Sequence, residues 1–241
     1  AELVTHVAHP TKVRAYAKAR GCLAKTDRLD ARILEGYGRF IDPSKLNELP
    51  SAFQRKLMRW SERLSQLKET HHQESCREGM VEEKEVKRSH QRLLAYLLKQ
   101  IKEVEATLLR LIESDEALKK RYALLRSMKG VGPTLAMTLL ADLPELGKIS
   151  KKEIAALVGV APMANESGQQ AGRAMIRYGR QSVRKILYMA ALVATQHNAR
   201  LKVFYQHLLA KGKAKKVALV AVMRKMIVIL NAMVQSNTVF N

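Results

Sequence analysis

The chain has 241 residues, 43 Lys+Arg against 22 Asp+Glu, a formal net charge of +21 and 47% hydrophobic residues. That balance argues against an acidic carrier or a neutral metabolic enzyme. The apolar content is enough to bury a core, so the charge is not that of a disordered basic tail, and the expected partner is a polyanion, most naturally nucleic acid.

Residues 3–8 form a short β-like run ahead of Pro10, and residues 13–19 read as a helix closed by Gly21. A lone strand and helix cannot bury a sheet face, so the expectation for residues 1–45 is the last βα unit of an α/β domain whose earlier strands are absent. The start on Ala1 rather than methionine fits a fragment. Residues 27–37 predict a second short helix and residues 43–50 a connector. Phe53, Leu57, Trp60, Leu64 and Leu67 then recur at heptad spacing, as do Leu94, Leu97, Ile101, Val104, Leu108 and Leu111. The phase breaks across the charged stretch 70–92 around Gly79, which predicts two long helices in a hairpin over 46–117. Such narrow seams suit a coiled coil joining two copies of the chain; an ordinary helical core is the plainer alternative.

From residue 118 onward the pattern is helical throughout: 124–127, 133–140, 151–158, 183–196, 201–209 and 217–234. Ser150 and Glu153 match a capping box. The last segment should be the central helix of the domain, and Arg224 and Lys225 interrupt it too early for a membrane span. No basic n-region followed by an apolar core opens the sequence, so a signal peptide is not expected here. Two cysteines, Cys22 and Cys76, far apart and in no Cys-x-x-Cys spacing, argue against a disulfide scaffold or zinc ribbon and fit a reducing cytoplasm. Residues 165–179 have no clear period, contain three glycines and read as a loop lined with Arg173, Arg177 and Arg180.

The charge is concentrated in the second half. Residues 1–117 carry 22 basic and 18 acidic side chains, net +4; residues 118–241 carry 21 and 4, net +17; and residues 167–241 hold 13 Lys+Arg with no Asp or Glu. A reaction centred there has no carboxylates of its own for metal binding or base catalysis, so it needs a hydroxyl, or acids from elsewhere. A basic face that only binds phosphates is the plainer reading.

Met128-Lys129-Gly130-Val131-Gly132-Pro133-Thr134 looks like a helix-hairpin-helix turn. Its glycines let the backbone approach a phosphate, Pro133 is preset for the first helical position, and the free amides and dipole of the next helix face the anion. Lys129, Gly130, Gly132 and Thr134 are therefore candidate DNA contacts, with a simple helix connector as the alternative. Lys25-Thr26-Asp27-Arg28-Leu29-Asp30-Ala31-Arg32 places Asp27 and Asp30 on one helical face, able to share a divalent cation or to form surface ion pairs. Ser167, in Glu166-Ser167-Gly168, could attack a phosphodiester with the arginines stabilising charge, or simply form a turn.

The Lys25–Arg32 segment resembles the signature of the Piv/MooV insertion-sequence transposases, the family of bridge-RNA-guided recombinases. The motifs Met128-Lys129-Gly130-Val131-Gly132, Gly159-Val160-Ala161-Pro162, Glu166-Ser167-Gly168, Arg184-Lys185-Ile186-Leu187-Tyr188-Met189 and Met223-Arg224-Lys225 are similar to that family's C-terminal domain in the same order. The resemblance implies a mainly α chain: the C-terminal fragment of an RNase H-like (RuvC-like) α/β domain, a coiled-coil helical hairpin, and an all-α helix-hairpin-helix domain over 118–241. It implies Asp27 and Asp30 as the third and fourth acids of an Asp-Glu-Asp-Asp set for Mg2+, the other two lying ahead of Ala1, and Ser167 as a nucleophile that bonds covalently to DNA. Arg184 and Lys185 join the candidate DNA contacts. DNA, a structured guide RNA and further copies of the chain are the implied partners, with no membrane and a cytoplasmic location beside the nucleoid. Two other functions stay open: a truncated binding remnant that cuts nothing, and a junction-type metal nuclease.

Overall fold

A computed structural model describes residues 8, 10–22, 26–42, 49–167 and 170–240, without the side chains of 164–167 and 170–174. Nearly all of the β-like run at 3–8 and most of the connector at 43–50 lie outside the described residues. The described chain is mainly α, and it divides into two compact units, Ala1–Arg55 and Lys56–Asn241.

In the first unit, α1 (Pro10–Ala19) and α2 (Asp27–Phe40) pack through aromatic rings. Tyr16 meets Tyr37 edge-on with centroids 5.6 Å apart, and Phe40 lies 5.4 Å away. Thr26 explains the start of α2: its hydroxyl accepts from the Leu29 amide at 3.3 Å, an N-cap that places Asp27 and Asp30 in the first turn.

The second unit begins with most of α3 (Ala52–Glu78), followed by α4 (Lys84–Glu113). The break falls at Gly79–Glu83, inside the stretch where the heptad phase fails. The two helices run antiparallel: Glu74 meets His90 at 2.6 Å, Glu78 meets Lys87 at 3.8 Å, and Lys68 meets Glu105 at 2.7 Å. Leu57, Leu64 and Leu67 of α3 and Leu97, Ile101, Val104 and Leu108 of α4 are buried. These seam residues are thus consumed inside one chain.

Beyond the hairpin come α5 (Glu116–Arg126), α6 (Pro133–Asp142), α7 (Lys151–Val158), α8 (Gln181–His197), α9 (Ala199–Ala210) and α10 (Lys215–Ser236). The Ser150–Glu153 capping box is present in both directions. Helix α10 is long and apolar enough to cross a membrane by length and composition. Half of its most apolar stretch is buried, with Leu219, Val222, Met226, Ile227 and Leu230 facing α5, α7, α8 and α9, the position of a central core helix.

The structure corrects the reading of 165–179 as a loop and of residues 118–241 as wholly helical. Strands β1 (Pro162–Ser167) and β2 (Gln170–Ile176) form an antiparallel hairpin, with Pro162 opposite Ile176, Ser167 opposite Gln170, and a register shift between Met163 and Asn165. Ala164, Ala171, Gly172 and Ala174 carry so little β-branched or aromatic bulk that no period-2 signal emerges.

Candidate functional site

The turn between α5 and α6 is built as its sequence suggests. Gly132 caps α6 and Pro133 takes its first position. The Val131 amide donates to the Met128 carbonyl at 3.0 Å, while the Arg126 guanidinium donates to the Val131 carbonyl at 2.7 Å. The glycines do different jobs. Gly130 has φ +105, and a Cβ there would lie 2.6 Å from the Cβ of Ala194, so α8 closes over it. Gly132 has nothing within 4 Å of its would-be Cβ and is the one open to a ligand. Lys129 is exposed. The Thr134 hydroxyl is engaged internally, 2.8 Å from the Lys68 ammonium and 3.4 Å from the Glu105 carboxylate. A groove of about 390 Å³ runs from Gly132 and Thr134 to Ile186, Met189 and Val193 of α8.

Asn198, 3% exposed, fixes this turn to α9. Its carboxamide donates to the Lys129 carbonyl at 3.2 Å and accepts from the Leu201 amide at 3.2 Å, capping α9 with the same side chain.

The β hairpin rises from a pinched base. Gly159 and Gly179 both have positive φ, and their backbones approach so closely that a Cβ on Gly179 would fall 2.3 Å from the Gly159 nitrogen. The Arg180 amide donates to the Leu157 carbonyl at 2.9 Å. The Arg184 guanidinium donates to the carbonyls of Tyr178 and Gly159, clamping both sides of the base. Six residues of strand carry the chain about 17 Å from Pro162 to Ser167. Ser167 is the last paired residue of β1; its side chain and that of Arg173 lie outside the described ones.

The other nominated cations differ in availability. Arg177 is exposed. Arg180 forms a fork with Glu145, 2.5 and 2.6 Å, and donates to the Asp142 carbonyl at 2.8 Å. Burial works to raise the Glu145 pKa, but the Arg180 hydrogen bonds and charge outweigh it and leave it below the usual range. Lys185 lies 3.6 Å from Glu69, both well exposed. Arg180 and Arg184 thus hold the base of the arm, while Lys129, Arg177 and Lys185 face outward.

One polar cleft escaped the sequence. Asp142, at the end of α6, sits in a cavity of about 590 Å³ with Glu62 and Glu69 of α3 and Ser182 and Lys185 of α8. Burial pushes the Asp142 carboxyl up against the opposing pull of hydrogen bonds with Ser182 and Ser61 and of the Arg180 charge. No motif marks it, because its members come from three helices.

Asp27 is exposed and Asp30 half-buried in the first turn of α2, where carboxylates also favour the helix dipole. Among the described residues no three His, Cys, Asp or Glu side chains come together to hold a metal. Mg2+ takes near-octahedral oxygen ligation, commonly from one or two carboxylates together with waters and substrate phosphates, so Asp27 and Asp30 could supply part of such a shell.

Against known proteins, the chain is 26% identical to the pilin gene-inverting protein of Moraxella bovis over 251 aligned residues, covering 98% of this chain and 74% of that protein. The pilin gene-inverting protein of Moraxella lacunata gives the same identity and coverage. Residues 122–206 match the model of the IS116/IS110/IS902 transposase family, a span holding the α5–α6 turn, the β arm with Ser167, and α8.

Proposed function

We propose that the chain is a DNA recombinase of transposase type that cuts and rejoins strands through Ser167. The observation carrying this reading is the transposase family match over 122–206, which encloses a serine at the end of a two-stranded arm. The similarity to proteins named for inverting a gene, itself a cutting and rejoining of DNA, supports it.

In the proposed reaction the Ser167 Oγ attacks a backbone phosphorus, a P–Oγ bond forms, and the bond to the leaving sugar oxygen breaks. The serine proton leaves to solvent or a base, and the departing alkoxide takes up a proton. Rejoining reverses the pattern: an incoming sugar hydroxyl attacks the phosphoserine and the serine oxygen departs. Arg177 and Lys129, exposed at the surface, would face the phosphates. A Mg2+ requirement, a guide RNA, assembly of several copies and action at the nucleoid belong to the same reading.

Incubation of the full chain with element-end DNA should give an adduct that survives denaturation and is absent from Ser167→Ala. An adduct of undiminished yield in that variant would remove Ser167 from the role. A second reading, a nucleic-acid-binding chain that cuts nothing, is favoured by the net +17 carried by residues 118–241. It predicts salt-sensitive DNA binding with no adduct under any metal condition.

A further inference from the structure

The nominated phosphate contacts include several side chains already engaged inside the protein, whereas a lysine cluster outside those nominations has no carboxylate partner among the described residues. Between the last turn of α9 and the first of α10 the chain reads Lys211-Gly212-Lys213-Ala214-Lys215-Lys216, all six residues exposed. Gly212, at φ +74, makes the turn. None of these four lysines pairs with a carboxylate among the described residues. The first turn of α10 carries no acidic residue and no side-chain cap. Two further cations rest on aromatic faces, Lys225 at 4.2 Å from the Phe204 ring centroid and Arg200 at 5.7 Å from that of Phe240. An aromatic face positions a cation and leaves its charge uncancelled.

The spacing ties this cluster to the α5–α6 turn. Helix α9 is capped at its start by Asn198, which is hydrogen-bonded to Lys129, and at its end by Lys211. Its exposed residues include Arg200, Lys202, Gln206 and His207. Twelve residues of helix span about 18 Å, about five base-pair rises of 3.4 Å along a duplex axis. Like charges packed this densely repel one another, and an extended polyanion laid along them relieves the repulsion.

We propose that the 211–216 connection and the solvent face of α9 form a phosphate track that holds the backbone of a nucleic acid, continuous at its other end with the 128–132 turn. The inference rests on the nucleic-acid reading above but needs no chemistry at Ser167. The track takes the sugar–phosphate backbone of DNA or RNA.

The test measures binding of the full chain to a 30-base-pair duplex and to a 30-nucleotide RNA by fluorescence anisotropy between 50 and 200 mM salt. The variant replaces Lys211, Lys213, Lys215 and Lys216 by Gln. A charge-matched control replaces the exposed Arg88, Arg92, Lys99 and Lys102 of α4 by Gln. Each engaged lysine contributes about 0.9 to the slope of log K against log salt on duplex DNA and about 0.7 on a single strand. The track variant should lose about 2 or more of that slope, and bind at least about 30-fold more weakly at 0.1 M salt, on one or both nucleic acids. Loss on one alone identifies which backbone the track prefers. The control should lose less than about 1. A track variant that keeps the parent slope on both nucleic acids, or a control that loses as much, overturns the proposal. If the parent itself shows no salt-sensitive binding to either, the nucleic-acid reading fails instead.

Discussion

The division of labour between Gly130 and Gly132 makes a sharp prediction, because two glycines two residues apart should respond differently to the same added methyl group. In Gly130→Ala the backbone at φ +105 lies where L side chains are strained, a cost of about 1–2 kcal/mol. The new Cβ would also stand 2.6 Å from the Cβ and 3.0 Å from the Cα of Ala194, inside the ~3.5–4.0 Å carbon–carbon optimum, and forcing such overlap costs about 1–3 kcal/mol. The total of about 2–5 kcal/mol corresponds to a fall in Tm of about 4–20 °C for a unit of this size. Gly132→Ala meets open space at an ordinary φ of −78 and should cost about 0.5–1 kcal/mol as a poorer helix cap. It should nonetheless weaken binding to duplex DNA if the turn cradles a phosphate. Thermal melting by circular dichroism without DNA reads the first effect, and anisotropy on folded protein reads the second. Adding Ala194→Gly to Gly130→Ala should restore part of the loss, with a coupling of at least about 1 kcal/mol. A Gly130→Ala protein melting within 2 °C of the parent would refute the claim that this glycine serves the approach of α8.

Two further outcomes follow from buried polar groups. Asn231, 3% exposed in α10, accepts from the Gly147 amide and donates to the Ile149 carbonyl, both at 2.8 Å. Asn231→Ala leaves both backbone groups unpaired, at about 1–3 kcal/mol each, and should lower the urea midpoint accordingly; a loss below about 1 kcal/mol contradicts this account. Glu74 is held below the usual carboxylate pKa first by its hydrogen bond with His90 and then by Arg77. A lowered folded-state pKa gives stability that is present above the ordinary value of about 4.3 and is lost as pH falls through the lower folded one. The melting temperature should therefore fall on the acid side, and Glu74→Gln should flatten that limb; an unchanged acid limb in the variant would show that the pair contributes nothing.

What the sequence revealed was mostly what neighbouring residues decide among themselves. The Ser150–Glu153 box, the Gly132-Pro133 start of α6, the break near Gly79 and the apolar run of α10 are local signals and stand where they were expected. Helix α5 starts at Glu116, earlier than its apolar residues suggest, because Asp115 caps it by accepting from the amides of Ala117 and Leu118. The β arm was missed because its stability comes from pairing and from a base closed by Gly159 and Gly179, twenty residues apart. The internal engagement of Thr134 with Lys68 and of Arg180 with Glu145 is likewise long-range, so a motif could nominate these residues without showing that their hydrogen bonds were already taken. Heptad spacing could not say which seam faced which; the fold turns both inward.

The pinched base of the arm also makes it a lever. The clamp of Gly159, Gly179 and Arg184 fixes one end, and among the described residues the two strands pair with each other. Over a reach of about 17 Å, a rotation of about 10° at the base carries the tip about 3 Å. Displacements of about 1 Å at a reacting centre can change rates by a hundredfold. The final aim of whatever sits at the tip is therefore set by what the arm touches when it is loaded, and Arg184, far from the tip in sequence, becomes a residue whose removal would blur that aim while leaving the tip chemically intact.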